Sequence, residues 1–306
     1  HGYFHKDHTQ LNLDGNKILS QTNLKSGQLD VMFGGIVCKG FSLAGERSPN
    51  DKRNYYFFRD SVLNRIKTLK RIDGLLNYLP TVYQNAILAE ELLDDYIPVL
   101  HIDWIRDGIM PWTRKKFGLC YSFKKKRVII PMRYWLDGSL LGTNARTTVA
   151  NYNELGITKY FITPSYPKSI NLYGLYENYD SIQKAGYVVV AESERSVLKR
   201  DSLNDSTLVA LSGHSVSDEQ TRILIGLNVE IVIAFDKDID INEVRHVCEK
   251  FYRIRNVSYM YDKWDLLGDK DAPMDANNKI YNFLFKYRIK YDENEHNEYL
   301  KSLEKK

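Results

Sequence analysis

The sequence predicts an α/β fold, in which an α+β N-terminal basic part precedes a parallel sheet covered by helices and a C-terminal helical segment. Short apolar runs alternate with helical patterns over residues 187–260, which is typical of a parallel sheet. Closely spaced apolar runs and turns over residues 110–150 indicate an antiparallel sheet upstream. The chain has 306 residues, 43% of them hydrophobic, which is enough to form the cores of two compact units.

Residues 1–95 are expected to form a mixed region of strands and helices. Residues 1–50 are rich in Gly, Asn and Ser and show weak periodicity, which indicates loops and short strands. From about residue 55 to 96, apolar side chains recur every three or four positions, which predicts two or three amphipathic helices.

Residues 96–180 are predicted to form a basic unit around a hairpin. Asp137-Gly138 separates the apolar runs 128–132 and 140–141, and Asp-Gly between two such runs favours a tight turn. A run of charges is usually a solvated face, but aromatic side chains accompany this one, which suits a sheet that follows a phosphate backbone. The basic residues are Arg114, Lys115, Lys116, Lys124, Lys125, Lys126, Arg127 and Arg133.

Residues 181–265 are predicted to contain the parallel sheet, with strands at 187–191, 208–211, 230–235 and 257–260. The intervening helices are expected at 196–200, from Ser217 onward and at 242–252. Ser217 stands three residues before Gln220, as in a capping box. Residues 266–306 are expected to hold an acidic motif followed by helices.

Acidic side chains follow three of these strands. Ligands bind beyond the carboxyl ends of the strands in an open parallel sheet, so residues at these positions are candidates for a site. Carboxylates brought together there repel one another unless a cation such as Mg²⁺ neutralises them. Asp is also a common turn and capping residue, and Asp240 fits a helix cap better. The candidate ligands are Glu192, Asp236, Asp238, Asp269 and Asp271.

Composition excludes several classes of protein. The three cysteines, Cys38, Cys120 and Cys248, are too few and too far apart for a disulfide framework or a cysteine-based zinc site. A formal net charge of +4 is too small for a general nucleic-acid coat. The chain shows no leader and no apolar run long enough to span a bilayer, so we expect a cytoplasmic protein without a membrane partner.

The acidic segments resemble the Toprim domain, a Rossmann-like parallel sheet shared by DnaG-type primases, type IA and II topoisomerases and several nucleases. Val188-Val-Val-Ala-Glu192, Leu208-Val-Ala-Leu-Ser-Gly213 and Ile233-Ala-Phe-Asp236-Lys-Asp238 match it in order, spacing and strand context. Upstream segments are similar to the basic subdomain of DnaG-like primases. These segments are Phe117-Gly-Leu-Cys-Tyr121, Arg127-Val-Ile-Ile-Pro-Met-Arg133, Gly142-Thr-Asn-Ala-Arg146, Lys159-Tyr-Phe-Ile-Thr-Pro164, Lys168 and Asn171-Leu-Tyr-Gly-Leu175.

This resemblance implies a bacterial or phage primase catalytic core, which makes short RNA primers on single-stranded DNA from nucleoside triphosphates. It implies Mg²⁺ or Mn²⁺ as cofactor, and a replicative helicase as a partner reached through regions outside this chain. Glu192, Asp236 and Asp238 would be catalytic and would bind metal together with Asp271 and Asp269. The nucleotide- and template-binding residues would be Arg133, Arg146, Lys159, Lys168, Lys124 and Arg127.

Two departures from the family leave alternatives open. Ser193 and Ser196 stand where the family usually has Gly and Asp, although Glu194 is a candidate replacement for the missing acid. The paired cysteines of the primase zinc ribbon are also missing, so no zinc is expected. The alternatives are a Toprim-type metal-dependent nuclease and a non-catalytic primase relative that binds single strands.

Overall fold

The computed structural model describes residues 31–32, 36–37, 90–162, 166–213 and 215–304. The chain divides into two compact units, residues 1–67 and 68–306. In the first unit, β1 (Val31–Met32) pairs antiparallel with β2 (Ile36–Val37). The helices predicted between residues 55 and 89 lie outside the described residues, and everything that follows concerns the second unit.

The first of the two sheets that the structure describes in the second unit is antiparallel. It has the order β3 (Cys120–Ser122), β4 (Arg127–Arg133), β5 (Leu140–Thr147) and β6 (Tyr160–Ile162). The predicted hairpin is confirmed, because β4 and β5 pair from Arg127↔Thr147 to Arg133↔Leu140 around the Asp137-Gly138 turn. Gly138 has φ +76°, a left-handed conformation that glycine adopts without strain. A short 3₁₀ helix (Glu90–Leu93), α1 (Ile102–Arg106) and α2 (Pro111–Phe117) precede this sheet.

The predicted parallel sheet is confirmed. Four of its strands run parallel, in the order β10 (Val257–Tyr259), β9 (Glu230–Ile233), β7 (Tyr187–Ala191) and β8 (Leu208–Ala210). A fifth strand, β11 (Ile289–Lys290), lies at the edge next to β10. The connecting helices are α3 (Leu175–Ala185), α4 (Glu194–Ser202), α5 (Asp218–Gly226) and α6 (Ile241–Glu249). Val188, Val189 and Val190 are fully buried, as expected for a central strand covered on both faces.

The C-terminal segment completes the second sheet. After a 3₁₀ helix (Pro273–Asp275) and α7 (Asn278–Lys286), β11 (Ile289–Lys290) pairs antiparallel with β10. The chain then forms α8 (Glu293–Glu304). No helix among the described residues is long and apolar enough to cross a membrane.

The two sheets share one hydrophobic core across the boundary predicted near residue 180. A single buried cluster joins Phe117 of α2 and Ile130 of β4 to Val189 of β7 and Leu284 of α7. Buried hydrogen bonds strengthen the junction, because Thr113 of α2 donates to Asp201 Oδ2 of α4 at 2.7 Å. The antiparallel sheet therefore packs against the parallel sheet through a common core.

Candidate functional site

Two of the predicted acids meet at the carboxyl edge of the parallel sheet. β7 and β9 are adjacent and in parallel register, with Val190 opposite Ile233. Glu192 directly follows β7, and Asp236 lies just beyond β9. The backbone N–H of Asp236 donates a hydrogen bond to Glu192 Oε1 at 3.0 Å. The strand order thus brings together two acids that are 44 residues apart in sequence.

Asp236 lies in a field of negative charge. Burial is the main cause that raises the pKa of its carboxyl from 3.8 to about 7, and the charges of Glu192, Asp275 and Asp238 raise it further. Lys159 acts in the opposite direction. Asp236 therefore interacts with three other carboxyl groups and with the Lys159 ammonium, and it takes up a proton far more readily than an exposed aspartate does.

Asp269 and Asp271 have a weaker structural link to Asp236 than Glu192 has. The Asp271 carboxylate accepts the N–H of Gly268 at 3.2 Å, and its backbone carbonyl accepts the N–H of Lys237 at 3.1 Å. Asp269 interacts electrostatically with the Lys237 side chain. The main groups that raise the pKa of Asp236 include Asp275, which lies outside the predicted ligand set, but neither Asp269 nor Asp271.

The donor set suits a hard divalent cation shared with a substrate. Among the described residues, no group of three or more His, Cys, Asp and Glu side chains is arranged to hold a metal ion by itself. Mg²⁺ usually takes one or two protein carboxylates and completes its shell with water and phosphate oxygens. Glu192 and Asp236 supply such a pair, and their mutual repulsion is what a cation would relieve. The residues present therefore fit Mg²⁺ or Mn²⁺.

Two predicted nucleotide-binding cations line a cavity beside this edge. Arg146 and Lys159 contribute to a cavity of about 450 Å³ together with Arg195 and Asp107. Arg146 lies opposite Tyr160 across β5 and β6, with its guanidinium 5.6 Å from the centre of the ring. Because Lys159 also lowers the pKa of Asp236, the cavity and the acidic edge belong to the same electrostatic environment.

A network of ion pairs on α4 was not predicted from the sequence. Arg195 pairs with Asp107, and Lys199 lies 3.0 Å from Asp107 Oδ1 and 2.6 Å from Asp275 Oδ1. Arg195 and Lys199 are four residues apart and so share a helix face. That spacing, directly after the Glu192 motif, is the signal that could have identified them.

Ser193 and Ser196, which stand where the resembled family usually has Gly and Asp, have a local structural role. Ser193 is the N-cap of α4, and its side chain accepts a hydrogen bond from the backbone N–H of Ser196. The two hydroxyls lie 3.1 Å apart. Glu194, the candidate replacement for the missing acid, is buried and accepts from Asn144 Nδ2 of β5 at 3.3 Å. It is not among the groups that raise the pKa of Asp236.

Arg127 requires a correction. We expected it to bind template, but it is buried and its guanidinium donates to the backbone carbonyls of Ala145 at 3.0 Å and Thr158 at 2.8 Å. These bonds hold β5 and the segment before β6 against β4. The side chain is thus part of the framework of the antiparallel sheet and is not available to a nucleic acid.

The other predicted cations differ in availability. Lys168 donates to the carbonyl of Ser212 at 3.1 Å, and the adjacent Gly213 N–H donates to the carbonyl of Glu192, so Lys168 lies along the acidic edge. Arg133 makes a bidentate pair with Glu90, at 2.6 and 3.0 Å, which a phosphate would have to displace. Lys124 is exposed in the turn between β3 and β4.

Comparisons with known proteins agree with the predicted fold. No protein-family profile matches the sequence. The SPbeta prophage-derived uncharacterized protein YorJ of Bacillus subtilis is 30% identical over 229 residues, which cover 65% of this chain and 60% of that protein. A DNA primase of Buchnera aphidicola is 27% identical over 125 residues, which cover 40% of this chain and 21% of the primase. The chain thus spans less than two thirds of the length of either relative.

A solved structure carries the same fold. The zinc-binding and RNA polymerase domains of the Aquifex aeolicus primase align with a TM-score of 0.52 and 20% identity, over 62% of this chain and 55% of that one. The predicted resemblance to a primase catalytic core and the predicted α/β class are therefore confirmed for the fold.

Proposed function

We propose that this chain is a primase-like replication enzyme, which synthesises short RNA primers on single-stranded DNA by metal-dependent nucleotidyl transfer. The observation that carries the proposal is the junction of Glu192 and Asp236 at the carboxyl edge of the parallel sheet. That junction occurs within a primase-type fold and next to basic residues.

The acidic edge would bind the cofactor. Glu192, Asp236 and Asp238 would hold Mg²⁺ or Mn²⁺, with Asp271 and Asp269 on the neighbouring loop as our further predicted ligands. Bound there, the cation would lower the pKa of the attacking 3′-hydroxyl and stabilise charge on the attacking and leaving oxygens. Asp236 must be ionised to take part, and a bound cation would offset the repulsion by Glu192, Asp275 and Asp238 that contributes to its raised pKa.

Arg146 and Lys159 would bind and orient the triphosphate. Both line the cavity of about 450 Å³, and Tyr160 supports the Arg146 guanidinium from β6. Positioned cations stabilise the charge that develops on a transferring phosphoryl group. Lys168, along the same edge, would contact phosphates from the side of β8.

The template would lie along the antiparallel sheet. Lys124 is exposed there, and Arg133 would exchange Glu90 for a template phosphate. Since such contacts are mainly to phosphates, template affinity should fall as salt rises. Single-stranded DNA and nucleoside triphosphates are thus the proposed ligands, and a replicative helicase stays a predicted partner through regions outside this chain.

The assay that tests the proposal combines the chain with single-stranded DNA, ribonucleoside triphosphates and Mg²⁺ or Mn²⁺. We expect oligoribonucleotide synthesis, and we expect Asp236→Ala to abolish it while template affinity changes by less than about twofold, because Asp236 would act on the metal and not on the template.

Asp240→Ala is the matched control for that variant. Asp240 is an exposed aspartate four residues away that caps α6 through the N–H of Asn242, so its loss should cost about 1 kcal/mol of stability and leave synthesis intact. Synthesis that survives in Asp236→Ala would show that the metal site lies elsewhere.

The same assay separates the two alternatives. Loss of the template without synthesis would indicate a Toprim-type nuclease. Template binding without either reaction would indicate a non-catalytic relative, for which Ser196, in place of the family's acid, is the motivating residue.

A further inference from the structure

Three aromatic side chains form an exposed cluster near the C-terminal segment. Trp264, Phe283 and Tyr287 are 40%, 37% and 46% exposed. The Trp264 ring lies 4.8 Å from that of Phe283 and 5.8 Å from that of Tyr287, and the last two are 4.7 Å apart. We call these three residues, together with Lys263 and Lys286, the aromatic patch. Contiguous exposed apolar surface of this kind usually marks an interaction site.

The structure of α7 explains why these rings face outward. The helix buries Tyr281 and Leu284 against the shared core. Phe283 and Tyr287 are four residues apart and lie on another face, where packing against the core is not available. Aromatic side chains on that face therefore contribute little to the core.

The α7 side of the patch carries positive charge, whereas the loop that carries Trp264 also contains Asp262 and Asp265, which both lie near the Lys237 ammonium. Residues 276–291 include Lys279, Lys286, Arg288 and Lys290 but no acid. Within the part of the chain that the structure describes, Arg288 alone of these four forms an ion pair, with Glu230. Among the described residues, no carboxylate lies within ion-pair distance of Lys263 or Lys286. Their ammonium groups lie 4.9 Å from the Trp264 ring centre and 5.3 Å from that of Tyr287. Rings and cations thus alternate on one surface.

The patch is tied to the acidic edge through Lys237, which directly follows Asp236. The Lys237 ammonium donates to the carbonyl of Leu267 at 2.6 Å and pairs with Asp265. The carboxylate of Asp262 accepts the N–H of Leu267 at 2.7 Å. These contacts hold the loop that carries Trp264 next to Lys237, the residue that follows the proposed catalytic Asp236.

We propose that the aromatic patch binds single-stranded nucleic acid, with bases stacked on Trp264, Phe283 and Tyr287 and phosphates near Lys263 and Lys286. Stacking platforms bordered by cations are the usual means of holding single strands without reading their sequence. Protein interfaces are also rich in aromatic residues but are depleted of lysine, so the two lysines beside the rings favour a nucleic acid as the occupant. The inference depends on the proposed function in one respect only, which is that the bound single strand continues from the acidic edge.

The test is fluorescence anisotropy with labelled oligothymidylates of about 5 and about 20 nucleotides, lengths that bracket common single-strand site sizes. Trp264→Ala and Tyr287→Ala should each weaken binding of the longer strand by about tenfold, since each removes one stacking platform. Tyr287→Phe should restore it. The matched control is Tyr179→Ala, because Tyr179 on α3 is also 46% exposed but is not part of the patch.

If both Trp264→Ala and Tyr287→Ala bind the oligonucleotide with wild-type affinity, the inference is overturned. A patch that binds a protein instead of a nucleic acid would give this result. Unchanged thermal midpoints exclude misfolding of the variants. If the patch variants lose affinity although the wild type makes no primers, the proposed function fails and the inference stands. If primers are made and the patch variants bind normally, the inference alone fails.

Discussion

Asp236 shows most clearly how a single residue links the fold to its chemistry. Its pKa is raised to about 7 because burial disfavours the charged form and because Glu192, Asp275 and Asp238 repel it. A purely structural role of these residues would not require several acids to lie so close together. Strongly perturbed carboxyl groups at a strand edge are characteristic of functional sites.

The raised pKa predicts a pH-dependent cost to stability. Between the ordinary value of 3.8 and about 7, the folded state keeps a proton that the unfolded state has released. The contribution of this group to the free energy of unfolding therefore falls as pH rises through that window. In a metal-free buffer, Asp236→Asn should raise the thermal midpoint at pH 8 more than at pH 4.5.

The control for this prediction is Asp240→Asn, since asparagine caps a helix about as well as aspartate. Its effect should vary less between the two pH values. An equal effect of Asp236→Asn at both pH values would mean that the carboxyl is not perturbed in the folded state.

The sequence was sufficient to identify site residues that come directly after a predicted strand. Glu192 and Asp236 could be identified in this way because neighbouring parallel strands deliver their carboxyl ends to one edge. Lys199 and Asp275 are in contact although they are 76 residues apart, and nothing in the local pattern indicates it. The burial of Arg127 could not be predicted either, because its hydrogen-bond partners, the carbonyls of Ala145 and Thr158, lie on other segments of the chain.

At the scale of elements, periodicity and turn chemistry predicted what local sequence controls. The β4–β5 hairpin, the four parallel strands and the capping box at Ser217 were all found where the pattern indicated them. β11 was not predicted, because a strand of two residues has no period and depends on its partner β10. The 3₁₀ helix that places Asp275 was missed as well.

Gly174, immediately before α3, provides a prediction at this scale. It has φ +82°, and a Cβ there would lie 2.9 Å from Val197 Cγ1 of α4. Gly174→Ala should therefore cost about 1 to 3 kcal/mol, from backbone strain and overpacking together. Chemical denaturation measures the change in the free energy of unfolding.

Gly226, the last residue of α5, is the matched control. A Cβ there would meet no atom within 4 Å, so Gly226→Ala should be neutral or stabilise by up to about 1 kcal/mol. Equal effects of the two substitutions would contradict the close approach of α3 and α4.

At the scale of the whole molecule, the fold places a basic antiparallel sheet against the acidic edge of a parallel one. The shared core and the Thr113–Asp201 hydrogen bond fix this arrangement. Sequence order indicated both sheets but not their common core, because the contacts that form it join residues far apart along the chain. A cation bound by Glu192 and Asp236 would complete the proposed site, since it would neutralise the acids and attract phosphates toward Arg146 and Lys159.

A crystal of the chain soaked in Mn²⁺ tests this central claim most directly, since anomalous scattering identifies the ion. We predict a Mn²⁺ ion bound by the carboxylates of Glu192 and Asp236, and no ion at that position in Asp236→Ala. Manganese bound only elsewhere, or an acidic edge that remains free of the ion at saturating Mn²⁺, would contradict the account.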